Sequence, residues 1–130
     1  MTHVLASFIA VPLALVAMSA TNAQPVKPFS FAALKAAQAA HKSIFIDVFA
    51  PWCPTCRAQA PTIDALATSP VTSQLVILRV DFDHQDAEKA FLHVNKQSTL
   101  IAYKGDKEIG RAVGITDPNQ INALALSTLR

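Results

Sequence analysis

The apolar residues of this chain cluster at two spacings, and the spacing sorts helices from strands. Ser43-Ile44-Phe45-Ile46-Asp47-Val48-Phe49 is a short β-branched and aromatic run. Nearly every position in it is apolar, so it reads as a strand buried on both faces, with one carboxylate inside it. Leu75 to Phe82 and Thr99 to Tyr103 read as two further strands. Ser30 can cap a helix through Phe31 to Ala40, a stretch rich in alanine. A second helix is expected from about Cys53, kinked by Pro61. Asp83 to Val94 reads as a third, with Ala87, Phe91 and Val94 at helical spacing. Lys104-Gly105-Asp106-Lys107 reads as a tight turn, which makes Glu108 to Val113 an antiparallel strand. Asp117 can cap a last helix with Pro118 in its first position and Ile121, Leu124, Leu126 and Leu129 as anchors. Gln24 to Phe29 carries two prolines and reads as an extended lead-in. The order is helix, strand, helix, strand, helix, strand, strand, helix. It predicts an α/β fold, a central mixed sheet with helices on both faces, over residues 30–130.

Residues 1–23 follow a different pattern. They contain no Lys, Arg, Asp or Glu, and the run from Val4 to Ala17 is almost wholly apolar. Small residues follow, ending Thr21-Asn22-Ala23. This is the layout of a secretory signal peptide cut near Ala23. An uncleaved membrane anchor is the alternative; Pro12 and the short run argue against it, since a spanning helix needs about 20 apolar residues. A buried helix of the domain is a third reading. With export, the mature chain is periplasmic or secreted, where a disulfide can persist.

Composition narrows the class. A chain of 130 residues suits one domain, and 52% apolar residues suffice for a core. Net charge is +2 and no polybasic run exists, so no nucleic-acid partner is expected. Two cysteines are too few for a disulfide scaffold.

The chemistry lies in Trp52-Cys53-Pro54-Thr55-Cys56. Two cysteines at this spacing, at a helix start, can close a small disulfide ring. Free backbone N–H groups and the positive dipole end there favour a thiolate, the attacking species in disulfide exchange. Cys53 is therefore the expected nucleophile. Cys56, one turn deeper, is the expected resolving thiol. A plain staple would contribute little, because so small a ring removes little unfolded-state entropy. A metal site usually adds a second ligand pair, and His84 and His93 are nine residues apart.

The stretch Ile46-Asp47-Val48-Phe49-Ala50-Pro51-Trp52-Cys53-Pro54-Thr55-Cys56-Arg57 resembles the active-site segment of the thioredoxin family. The similarity continues through Pro61, Val80-Asp81-Phe82-Asp83, Lys104-Gly105-Asp106-Lys107 and Val113-Gly114. Within the family, the WCPTCR run resembles the exported reductants of cytochrome c maturation. The resemblance implies a thioredoxin-like fold and a thiol–disulfide oxidoreductase whose redox group is its own Cys53–Cys56 disulfide, with no cofactor. It implies client proteins with disulfides, a membrane thiol electron donor, and action as a monomer. It assigns Asp47 proton transfer towards Cys56, a role that suits a buried carboxyl. Pairing of Asp47 with Arg79 is the competing reading. Trp52 matches the family tryptophan that shields the disulfide and forms part of the docking surface. Arg57 could support the thiolate or be an ordinary exposed residue.

One position departs from the family pattern. Where the family places a cis-proline opposite the disulfide, this chain reads Lys96-Gln97-Ser98-Thr99-Leu100. A cis bond before a non-proline residue costs about 2.5–4 kcal/mol, so a trans Gln97–Ser98 bond is expected. Ser98 and Thr99 then become the candidate client-binding residues of the loop, with the Ser98 hydroxyl available to face Cys53. The departure also leaves room for two other functions: disulfide donor or isomerase, and a soft-metal module holding Cu(I) through Cys53 and Cys56.

Overall fold

The computed structural model describes residues 25–130. The signal-peptide or anchor reading of residues 1–23 lies outside them. Among the described residues no helix is long and apolar enough to cross a membrane.

Five strands and four α-helices follow in the order β1 (Lys27–Pro28), α1 (Phe31–Ala39), β2 (Ser43–Phe49), α2 (Pro54–Thr68), β3 (Leu75–Asp81), α3 (Asp86–Phe91), β4 (Thr99–Lys104), β5 (Lys107–Val113) and α4 (Pro118–Leu126). Short 3-10 turns at Pro70–Thr72 and Ser127–Leu129 complete the elements of the described residues. The sheet order is β1-β3-β2-β4-β5. β1, β3 and β2 run parallel, and β4 and β5 continue the sheet antiparallel. Parallel pairing of β2 and β3 requires a crossover, which α2 supplies. The fold is thioredoxin-like, a mixed sheet between helices.

Local chemistry accounts for most element ends. The Ser30 hydroxyl accepts the Ala33 N–H at 3.0 Å and opens α1. Asp117 Oδ1 accepts from Asn119 N (2.7 Å) and Gln120 N (3.1 Å), with Pro118 following as the first helical residue. Two helices end on a left-handed histidine, His41 (φ 52°) after α1 and His93 (φ 53°) after α3. In each the next residue's amide reaches back to satisfy a helical carbonyl, Lys42 N to Ala37 O and Val94 N to Lys89 O.

The sheet has an apolar layer on each face. Ile44, Ile46, Val48, Leu78, Val80 and Ile101 pack with Leu34 and Ala37 of α1 and with Leu92 and Val94. Phe45, Leu75, Ile77, Leu100 and Ala102 pack with Ile63, Leu66 and Ala67 of α2 and with Ile121 and Ala125 of α4. β2 lies at the centre, buried on both faces, which is why its pattern is continuous rather than alternating.

Three expectations are corrected. The helix read over Asp83 to Val94 contracts to Asp86–Phe91. Asp81 draws the preceding turn onto itself, accepting from Asp83 N at 3.0 Å and pairing with His84 at 2.9 Å, so the helix cannot begin earlier. Phe91 consequently faces solvent at 56% exposure and Leu92 takes the core position. The lead-in is part of the sheet: β1 pairs with the outer edge of β3, and Phe29 is buried. At the C-terminus Leu129 is exposed and Thr128 is buried, because the chain tightens into a 3-10 turn after α4.

These positions differ sharply in predicted cost. Ile63→Ala, at a fully buried site, is expected to lower unfolding free energy by about 2–5 kcal/mol. Phe91→Ala should lose no more than about 1.5 kcal/mol, the value of its edge-to-face contact with Phe31. Urea unfolding midpoints check both.

Candidate functional site

β2 ends at Phe49, and Ala50-Pro51-Trp52 turns the chain into α2. Cys53 is the N-cap of that helix, with Pro54 in its first turn. Its sulfur accepts the Cys56 amide at 3.1 Å, where Ser or Asp would ordinarily place an oxygen. That hydrogen bond points at the atom that carries the negative charge when Cys53 is the attacking thiolate. Both cysteines are free thiols and both are buried, packed with Ala50, Phe49 and Phe82.

The Cys56 thiol lies 3.8 Å from the Val48 carbonyl oxygen and donates to it. Burial, above all, and then the hydrogen bond with Cys53 push its pKa up to about 11, against an opposing pull from the backbone of Ala50 and Ser98. Cys56 is thus a poor nucleophile until something takes its proton.

Asp47 is fully buried beneath α2. Its Oδ2 accepts from Arg79 Nε at 2.7 Å, and Arg79 is its register partner on β3. The guanidinium sits over the Phe49 ring, 4.6 Å from its centroid. Asp47 Oδ1 has no hydrogen-bond partner. Burial raises the Asp47 pKa above the ordinary carboxylate value; the charge and hydrogen bond of Arg79 oppose this without cancelling it. The pairing with Arg79 thus engages one oxygen of Asp47, and the other oxygen is left without a partner.

Trp52 is 53% exposed, so it is not a core residue. Its indole N–H is shared by both Asp83 carboxylate oxygens, at 2.9 and 3.0 Å, and its ring meets Phe82 edge-on. Arg57 is exposed and donates to the Pro51 carbonyl at 3.0 Å.

Ser98 and Thr99 are placed differently from expectation. Among the described residues no peptide bond is cis. Ser98 adopts φ 59°, a left-handed conformation uncommon for a residue with a side chain. That backbone turns its hydroxyl onto the Gln97 carbonyl at 2.5 Å rather than towards Cys53. The Thr99 hydroxyl donates to Lys96 O at 2.7 Å. The Ser98 amide donates to Val48 O at 2.9 Å and its carbonyl accepts from Gly114 N at 3.0 Å. Both side chains are buried, which leaves Trp52 as the exposed member of the three candidate client-binding residues.

Sequence reasoning missed Gln59. It is fully buried, and its amide nitrogen donates to Ser98 O (3.2 Å) and Ile115 O (2.8 Å). The signal was present: Cys53, Cys56, Gln59 and Ile63 share one helical face, and a glutamine there must find partners. No cluster of three or more His, Cys, Asp or Glu side chains suited to a metal occurs among the described residues.

The sequence model of the thioredoxin family matches residues 25–126. A thioredoxin of Chlamydia trachomatis is 35% identical over 78 residues, 60% of this chain and 74% of that one. Thioredoxin-2 of Saccharomyces cerevisiae is 40% identical over 73 residues, 56% and 68% of the two chains. Among solved structures, Trxlp of Edwardsiella tarda superposes with a TM-score of 0.73 at 37% identity, covering 76% of this chain and 97% of that one.

The raised Asp47 pKa has a signed consequence for stability. The native state holds the Asp47 proton more tightly than the unfolded chain does. Stability therefore falls as pH rises from the ordinary carboxylate range through the raised native value, and the loss is complete above it. Asp47→Asn stays neutral and keeps an acceptor for Arg79. It is expected to be more stable than the wild type at about pH 8, with the difference closing below about pH 4. Urea midpoints across that range measure it.

Proposed function

The chain belongs to the thioredoxin family and is a thiol–disulfide oxidoreductase whose redox group is its own cysteine pair, and from that premise we propose that it is an exported reductant of client disulfides. The observation that carries the chemistry is the Cys56 amide held 3.1 Å from the Cys53 sulfur at the start of α2. Export is supported by the uncharged, apolar run before Ala23. Pro54-Thr55 does not itself fix the direction; the reducing direction is supported by the lack of a histidine between the cysteines, a feature of the more oxidising family members.

The reaction runs in two exchanges. Cys53 attacks one sulfur of a client disulfide, forming a mixed disulfide and releasing the first client thiolate. Cys56 then passes its proton to Asp47, whose Oδ1 is free to take it. The Cys56 thiolate attacks the Cys53 sulfur, closes the Cys53–Cys56 disulfide and releases the second client thiolate. Two electrons have moved from the dithiol to the client. Return to the dithiol needs two electrons and two protons from a thiol donor, which outside the cytosol points to a membrane protein. Trp52 presents the apolar surface on which a client docks.

Cys53→Ser is expected to abolish reduction of a protein disulfide such as that of insulin. Cys56→Ser should accumulate a mixed disulfide, visible as an added client mass that dithiothreitol removes. Equilibration with glutathione buffers should place the couple near about −270 mV; a value near about −120 mV would make the protein a disulfide donor instead. Expressed with its leader in a bacterium, the protein recovered from the periplasm should begin at Gln24. A mass retaining residues 1–23 would favour the anchor.

A further inference from the structure

We propose that Gln59 is a positioning residue of the cysteine pair: it holds the left-handed Ser98 peptide against Cys56 and so sets how fast the resolving thiol attacks. The inference rests on the reading of Cys56 as that thiol.

Gln59 lies one turn beyond Cys56 on the buried face of α2. An amide in that setting is costly unless its hydrogens are used, and its nitrogen supplies both, to Ser98 O at 3.2 Å and Ile115 O at 2.8 Å. Both partners are carbonyl oxygens, so the amide cannot be turned over without setting oxygen against oxygen. One side chain thus ties the active-site helix to the loop before β4 and to the loop after β5.

The tie acts on a strained residue. Ser98 sits at φ 59°, where a Cβ is unfavourable and glycine is at ease. Three backbone-directed bonds hold it there: Ser98 N to Val48 O at 2.9 Å, Gly114 N to Ser98 O at 3.0 Å, and the Gln59 amide. The Val48 carbonyl also accepts the Cys56 thiol. The Ser98 amide and the Cys56 sulfur therefore share one oxygen, and the place of one fixes the surroundings of the other. Without Gln59, Ser98 is free to relax towards negative φ and withdraw its amide from that oxygen. The pull of the Ser98 backbone on the raised Cys56 pKa acts in the same direction. Among groups that titrate nearby, Cys53 acts on Cys56 from the helix cap, while Asp47 on β2 is engaged by Arg79 of β3. The tied loop segments, Ser98-Thr99 and Gly114-Ile115, bring no titratable side chain.

The test separates the two thiol steps in one trace. Reduced protein is mixed with excess 5,5′-dithiobis(2-nitrobenzoate) and absorbance at 412 nm is followed by stopped flow. Cys53 attack releases one thionitrobenzoate. Cys56 then attacks Cys53, closing the disulfide and releasing the second. Gln59→Met, with a side chain of similar length and no donor, should leave the first phase within about twofold and slow the second about tenfold, the scale of the hydrogen bond to Ser98 O, one of the two that it removes. Gln59→Met combined with Ser98→Gly should recover most of the second phase, because glycine adopts φ 59° without the steric cost that a Cβ brings. Slowing of both phases alike, no slowing, or failure of the glycine to restore the rate would overturn the proposal. If Gln59→Met does not fold, Gln59→Asn, which keeps the amide one methylene short of its partners, is read the same way. Release of only one thionitrobenzoate per wild-type molecule would instead defeat the reading of Cys56 as the resolving thiol.

Discussion

Cys53 is at once the cap of a helix and the atom on which the chemistry turns. A helix start leaves backbone amides without partners, and here the Cys56 amide is satisfied by the Cys53 sulfur. That single arrangement requires Pro54 to begin the helix, Ala50 to accept the Cys53 amide at 3.1 Å, and β2 to deliver the turn from the centre of the sheet. The core on both faces of β2 is what makes that delivery rigid. A looser strand would let the sulfur drift from the amide that steadies it.

The buried polar groups beneath the site oppose the core that surrounds them. Asp47 interrupts a strand otherwise made of apolar residues, and Gln59 interrupts an apolar helical face. Each carries one oxygen without a partner, a condition that stability alone disfavours. Each also has a use. The open Asp47 oxygen can take a proton, and the Gln59 nitrogen fastens the Ser98 loop. Both lie beneath the second cysteine, whose thiol burial makes reluctant to ionise.

The loop at Ser98 shows how one residue alters a shared fold. With no proline there, the chain meets the cysteines through a trans peptide and a left-handed serine whose amide and carbonyl are both engaged inside the protein. The side chains of Ser98 and Thr99 are turned into the protein rather than to solvent. Trp52, anchored by Asp83 and half open to solvent, carries the exposed side of the site.

Much was legible in the residues themselves. The bounds of β2, the caps Ser30 and Asp117, the turn at Gly105 and the cysteine pair at the head of α2 all arise from interactions within a few residues, and such interactions can be read in order along a chain. What failed to be legible was non-local. β1 becomes a strand only because β3 offers it an edge, and Phe91 is left outside because Asp81 gathers the turn before α3. The Asp47–Arg79 pair across two strands could be named only as one of two readings until the strands were set side by side. The Ser98 hydroxyl turns from Cys53 under a backbone angle no composition announces, and Gln59 has a role only where two loops distant in sequence bring their carbonyls to it. The sequence by itself determined which groups would react, through their spacing and their place at a helix start. Only the tertiary structure decided which partners each buried polar group would have, because a desolvated donor or acceptor must bond to whatever the packing sets beside it.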